Sequence, residues 1–272
     1  MNVREMVRLN RISEAESSVV TNMATLLSRH ILPLFVELPG GKPQLLGSGF
    51  LVSSGNDSYL ISAAHVFDPL KNGQEPFYYI ESNLRRKLSG ELKLSKVPQG
   101  GARSRDRVDI GVLKLQGPRL PPYPNVEKYP MPIQALQPES LPREGKQYLL
   151  VGFPESQSRA NPADREVASK VYAFRNISYP PEKYGLLGAS VETHVVLSFD
   201  RKKSVGADTN IRAFPNPAGM SGSPVFLLYD ENGSNDRSQT PVVGIAIEHR
   251  KTEHAIVATD IGFSLALING AL

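Results

Sequence analysis

The hexapeptide Gly219-Met220-Ser221-Gly222-Ser223-Pro224 sets a serine on a tight turn between two glycines. A serine hydroxyl is a weak nucleophile at neutral pH. It needs a base to take its proton and a third group to orient that base. Both are available upstream. Ser62-Ala63-Ala64-His65 supplies an imidazole, and Val108-Asp109-Ile110-Gly111-Val112-Leu113 supplies a carboxylate at the head of an apolar run. In such a set His65 would accept the proton of Ser221 and return it to a leaving group. Asp109 would hold the other ring nitrogen and fix the tautomer. Ile110, Val112 and Leu113 place Asp109 beside a buried strand, where an unpaired carboxylate is costly. Asp68 and Asp106 are competing carboxylates, each in more polar, loop-like sequence. A lone turn serine or capped histidine would not explain the glycines. Acyl transfer to serine would, and it calls for no metal or cofactor.

The elements that must position these groups read as strands. The chain has 272 residues, 40% hydrophobic, with 22 glycines and 22 prolines, a composition of many turns and few long helices. Short β-rich segments are expected at 31–38, 44–53, 58–62, 77–80, 84–88, 91–97 and 110–115. They resume at 147–153, 167–177, 191–199, 225–229 and 242–248. Between the two groups, residues 116–142 carry eight prolines, which cannot join the inside of a ladder. The expected organisation is an N-terminal helical extension (1–30), a first β-barrel with His65 and Asp109 (31–120), a proline-rich connector (121–142) and a second barrel with Ser221 (143–272). Residues 12–29 read as the helix, with Ser13 and Glu16 as a capping box. The apolar stretch 261–268 reads as a C-terminal helix.

Three motifs give the chain a resemblance to the trypsin-like (chymotrypsin-fold) serine peptidases, of a bacterial intracellular type. Gly47-Ser48-Gly49-Phe50-Leu51-Val52 with Leu60-Ile61-Ser62-Ala63-Ala64-His65 is similar to the strand pair leading into that family's histidine. The segments around Asp109 and Ser221 resemble its aspartate strand and serine turn. The resemblance covers roughly residues 31–270. It implies an all-β fold of two antiparallel six-stranded β-barrels and the triad His65, Asp109 and Ser221. It also implies an oxyanion hole built from the backbone N–H groups of Gly219 and Ser221, where negative charge on a substrate carbonyl is stabilised. One wall of the substrate pocket would come from the segment holding Pro215, Asn216 and Pro217. The other would come from the strand holding Ile247, Glu248 and His249. Pro215 stands six residues before the serine, where an Asp would signal cleavage after Arg or Lys, so a basic preference is not expected. Ser223 is expected to pack, and His194 to lie on a strand surface.

The implied function is a serine endopeptidase acting on protein or peptide. The alternative is a catalytically silent peptidase-fold module that binds a peptide or protein partner in the same cleft. An esterase with the same triad is a further variant. No Ile-Val-Gly-Gly segment precedes the first strand, so activation by cleavage is not expected, and an activating protein partner docked on the N-terminal helix is a candidate. The net charge of +4 is mildly basic. The basic runs at 85–87, 103–107 and 201–203 lack interleaved aromatics, so no nucleic-acid partner is expected. There is no cysteine, no apolar leader in the first ten residues and no apolar run near the roughly 18 residues that cross a membrane. A cytoplasmic, membrane-free location is the expectation.

Overall fold

The computed structural model describes residues 22–79, 85–97, 106–116, 128–161, 166–200, 215–229 and 240–271. The capping-box pair Ser13 and Glu16, most of the expected N-terminal helix, the prolines at 118–124 and the basic run at 201–203 lie outside them. Of that helix, residues 22–27 are helical and run into a 3-10 turn at Ser28–His30.

The first sheet is built from β1 (Ile31–Glu37), β2 (Pro43–Ser54), β3 (Asp57–Ala63), β4 (Phe77–Tyr79), β5 (Arg85–Lys87), β6 (Gly90–Leu94) and β7 (Ile110–Leu115), with β8 (Met131–Pro132) added alongside. Its order is β5-β4-β1-β2-β3-β7-β6, antiparallel throughout, and β8 runs parallel to β2. The β2–β3 hairpin turns on Gly55-Asn56, with Gly55 at φ +56°. A two-residue loop with positive φ matches the twist of the flanking strands. The second sheet contains β9 (Gln147–Gly152), β12 (Tyr172–Ile177), β13 (His194–Ser198), β14 (Pro224–Tyr229), β15 (Val242–Arg250) and β16 (Ala255–Asp260). Its order is β12-β9-β14-β15-β16-β13. β10 (Ser158–Asn161) and β11 (Glu166–Ser169) pair as a separate ribbon. The helix Gly262–Asn269 closes the described chain and stops at Gly270, which adopts the left-handed conformation usual at helix ends.

The two sheets curl into a double barrel, and strands at their junction such as β3, β9 and β16 are buried on both faces. Side chains alternate across a strand, so one apolar set can fill a barrel while the other packs between barrels. In β9, Tyr148 and Leu150 fill the second barrel with Val195, Leu197 and Val225. Their neighbours Leu149 and Val151 face the shared core with Phe50, Val52 and Ile61 of the first sheet. In β2, Leu51 joins Leu32, Leu60 and Leu113 inside the first barrel.

The double-barrel architecture is as expected, with several differences in detail. The first sheet has eight strands rather than six: all seven segments expected between 31 and 115 form strands in it, and β8 adds to β2. Arg86 and Lys87 are exposed on β5, a charged edge that discourages further pairing. The expected strand 167–177 divides into β11 and β12. The strand β16 was not expected, although all six of its residues are buried. The described part of the proline-rich stretch is tied to both sheets, through β8 and through a bridge from Leu136 to Val242. Among the described residues no helix is long and apolar enough to cross a membrane.

A buried ionic cluster fixes the entry to the second sheet. The Arg143 guanidinium, 3% exposed, meets Glu139 at 3.2 Å and Asp260 at 2.9 Å, and it donates to the Val191 carbonyl. Lys146 and the Tyr148 hydroxyl also reach Glu139, at 3.1 and 2.9 Å. Burial raises the pKa of both Glu139 and Asp260, against the pull of these cations. Removing the cation from such a pair costs about 3–5 kcal/mol, because charge is left buried without a partner. Arg143→Met should therefore lower the unfolding free energy by about that amount near pH 8. The folded-state pKa of each carboxyl lies above its unfolded value. The penalty for ionising it is thus present at higher pH and relieved as pH falls toward the ordinary carboxylate range. Urea unfolding of parent and variant near pH 8 and near pH 5 should show the deficit narrowing in acid; an equal deficit at both would contradict this account.

Candidate active site

His65 is delivered by β3. Its run Leu60-Ile61-Ser62-Ala63 is fully buried, and the small residues Ala63 and Ala64 let the chain turn tightly into a 3-10 segment, Ala64–Phe67. Pro69 continues it in the first turn of a short helix, where a missing N–H carries no penalty. Asp109 stands just before β7 at φ +45°, a left-handed conformation that Asp tolerates better than bulkier residues. Its backbone carbonyl accepts the Ala64 N–H at 2.8 Å.

The side chains of the two meet directly. Asp109 Oδ1 accepts the His65 backbone N–H at 3.0 Å, and Oδ2 lies 2.6 Å from His65 Nδ1. A carboxylate can only accept, so Nδ1 carries the proton and Nε2 of the neutral ring is left with a lone pair. The Asp109 side chain is 11% exposed and that of His65 is 37% exposed, so the pair is sheltered at one end and open at the other.

Ser221 sits between Gly219 at φ +87° and Gly222 at φ +85°. These angles exclude most side chains, and space excludes them at Gly222. A Cβ there would lie 2.0 Å from the Ser48 carbonyl oxygen and 2.1 Å from Ser62 Oγ. The turn is pinned by its neighbours. The Ser221 carbonyl accepts the Ser48 N–H at 2.8 Å, and the Gly222 N–H donates to the Ala246 carbonyl at 2.7 Å. Ser48 Oγ donates to the Gly219 carbonyl at 3.2 Å and accepts the Phe153 N–H at 3.0 Å. Ser62 Oγ donates to the Ser48 carbonyl at 2.6 Å. Sequence reasoning assigned Ser48 and Ser62 no such part; the only signal was a buried-type motif with a hydroxyl where a smaller apolar residue would serve.

Within 218–223, the N–H groups of Ala218, Met220, Gly222 and Ser223 all donate inside the protein. Those of Gly219 and Ser221 have no acceptor among the described residues. Ser221 Oγ likewise makes no hydrogen bond there, to His65 or to any other group.

Two cavities adjoin along Ile247 and Glu248. One, about 420 Å³, is lined by His65, Asp109, Asp68, Arg107 and His194 among others. The second, about 300 Å³, is lined by Ser221 together with Asn216, Pro217, Ile247, Glu248 and His249, and is floored by Leu150, Met220, Ala246 and Ile256. Pro215 is buried and does not line it, and positions 213 and 214 lie outside the described residues. Glu248 pairs with Arg250 at 2.9 Å.

Two expectations are corrected. His194 is not on a strand surface but 4% exposed, its ring bonded to the Arg107 carbonyl in the turn that leads into β7. Asp106 is also buried, held by the Ser95 hydroxyl and the Val108 N–H. It lines the same cavity as His65, whose ring pairs instead with Asp109. Ser223 is buried as expected, with its hydroxyl unpartnered.

Comparison with known proteins follows the same lines. No curated protein matches the chain in sequence. Among 310 matching solved chains, one described as "Structure of GrC" superposes with a TM-score of 0.53 at 14% identity, covering 90% of this chain and 94% of that one. At that identity the likeness establishes the fold alone. The family model for the trypsin-like peptidase domain matches residues 47–233, most of the chain and a span that includes His65, Asp109 and Ser221. The chain belongs to the trypsin-like peptidase domain family.

Proposed function

We propose that the protein is a serine endopeptidase that cleaves peptide bonds through an acyl-enzyme on Ser221. The observation that carries this reading is the pair of unspent N–H groups at Gly219 and Ser221. Leaving two donors idle beside a hydroxyl serves a site that receives an oxyanion, and each such donor is worth about 3–4 kcal/mol to a tetrahedral intermediate. Ser221 Oγ adds to the scissile carbonyl as its proton passes to His65 Nε2. Asp109 holds Nδ1–H and stabilises the cationic ring. The proton then goes to the departing amine as the C–N bond breaks, and water repeats the sequence to release the acid. A protein partner would regulate access rather than build the site, because neither amide has an acceptor among the described residues. The absence of cysteine fits action in a reducing compartment such as the cytoplasm.

The cavity beside Ser221 offers an apolar floor of Leu150, Met220, Ala246 and Ile256. Its carboxylate, Glu248, is already paired with Arg250. An uncharged, apolar side chain on the acyl side of the scissile bond fits this lining, whereas burying Lys or Arg without a partner is costly. That Ser221 Oγ makes no hydrogen bond to His65 among the described residues is a feature that suits a silent binding module instead. Catalytic hydrogen bonds are often long or poorly aligned without substrate, so an unmade bond is compatible with chemistry.

A fluorophosphonate probe should label Ser221, with the adduct located by peptide mass spectrometry and absent in Ser221→Ala. No labelling of the parent would favour the binding module. Asp109→Asn should slow turnover by about 10⁴, the usual cost of the wrong tautomer. Gly222→Ala should abolish labelling and cost at least about 1–3 kcal/mol of stability from backbone strain, read by urea unfolding. In a peptide library, Leu, Met or Phe should exceed Lys and Arg at the acyl position by at least about tenfold in kcat/KM, and a basic preference would refute the assignment of the cavity.

A further inference from the structure

The turn that presents Asp109 is gripped from two sides. On its own side, Asp106 Oδ1 accepts the Val108 N–H at 3.1 Å, and Ser95 Oγ accepts the Ile110 N–H at 3.0 Å. From the other sheet come two buried side chains. His194 Nε2 lies 2.8 Å from the Arg107 carbonyl oxygen, and Thr259 Oγ1 lies 2.6 Å from that of Val108. Carbonyls only accept, so the ring N–H and the hydroxyl are the donors. His194 and Thr259 face each other directly in the β13–β16 ladder. Thus one rung of the second sheet holds the two successive peptide units that lead into Asp109. The next residue is the one forced to φ +45°.

The histidine is set for this task. Its Nδ1 receives the Ser190 N–H at 3.3 Å and lies 2.7 Å from Thr193 Oγ1. With Nε2 donating and Nδ1 accepting, the neutral tautomer satisfies every contact. Burial lowers its pKa, which favours that same uncharged form.

We propose that His194 and Thr259 are positioning residues for Asp109, a two-pronged clamp through which the second sheet sets the carboxylate that orients His65. The catalytic consequence rests on the peptidase reading; the effect on Asp109 does not. The clamp makes the histidine–aspartate pair, carried entirely by the first half of the chain, dependent on docking of the second. Displacement of a reacting group by about 1 Å can cost about 10²-fold in rate, so a loosened turn is kinetically visible.

Four variants test this. Thr259→Val keeps the shape and removes the donor, whereas Thr259→Ser keeps the donor. His194→Leu removes the ring donor, and His194→Gln can restore an N–H near the Nε2 position. Two readouts are needed beyond thermal stability: kcat and KM on an active peptide or ester substrate, and the low-field proton resonance of His65 Nδ1–H in its bond to Asp109. Thr259→Val and His194→Leu should lower kcat about 10–100-fold with KM nearly unchanged, and should shift or broaden the resonance. Thr259→Ser and His194→Gln should stay within about threefold of the parent, with its resonance. Should His194→Leu fail to fold, the isosteric threonine pair decides alone. A folded Thr259→Val with parental kcat and resonance would overturn the clamp. If the parent itself shows no turnover and no probe labelling, the peptidase reading falls, and the resonance alone then judges the clamp: movement in Thr259→Val but not in Thr259→Ser upholds it, and no movement overturns it.

Discussion

Ser48 is the residue on which the two halves of the molecule converge. It belongs to β2 of the first sheet, yet its N–H holds the Ser221 carbonyl, and its hydroxyl sits between the Gly219 carbonyl and the Phe153 N–H of the second half. Its own carbonyl is taken by Ser62, three residues before His65. Each such bond contributes only about 0.5–1.5 kcal/mol net, but a buried group left without a partner costs about 1–3 kcal/mol. At zero exposure Ser48 has no water to fall back on. The serine turn, the histidine strand and the packing of one sheet on the other are therefore parts of a single arrangement that holds together or fails together.

That arrangement explains the apolar pattern around it. Strands near the junction have to be hydrophobic on both faces, since one face fills a barrel and the other meets the opposite sheet. Leu149 and Val151 against Tyr148 and Leu150 show the division within four residues of one strand. The charged groups that enter this interior are bonded there, whereas a few small hydroxyls such as that of Ser223 are buried without a partner. The Glu139–Arg143–Asp260 cluster and the His194–Thr259 rung are the clearest bonded examples, and both join segments far apart in the chain.

Much of this was legible in the sequence because local signals agree with the global fold. The turn at Gly55-Asn56, the buried run before His65 and the glycines around Ser221 each announce their geometry within a few residues. What escaped was set by tertiary partners. Ala255–Asp260 has a strand-forming core, but it follows a charged turn and adjoins a helix, so its period was hidden. His194 carries the sequence of an ordinary strand start; only the approach of the Arg107 carbonyl, in the turn before β7, makes it a buried, bonded ring. Ser48 and Ser62 read as small fillers until the serine turn is placed against them. The cavity lining was partly readable: Asn216, Pro217 and residues 247–249 flank motifs, whereas Leu150 and Ile256 reach it only through the barrel's curvature.

The cross-sheet anchoring of Ser221 also bears on how the chain comes off the ribosome. Domains tend to fold in the order of synthesis, at about 5–20 residues per second. The sheet that bears His65 and Asp109 is therefore exposed for several seconds before residues 219–224 emerge. During that interval Ser48 has no Ser221 carbonyl to hold, and the rung that grips the Arg107 and Val108 carbonyls has yet to be made. A nascent chain thus passes through most of synthesis with His65 and Asp109 apart from the Ser221 turn, and the rung on the Arg107 and Val108 carbonyls is complete only once β16, the last strand among the described residues, is made.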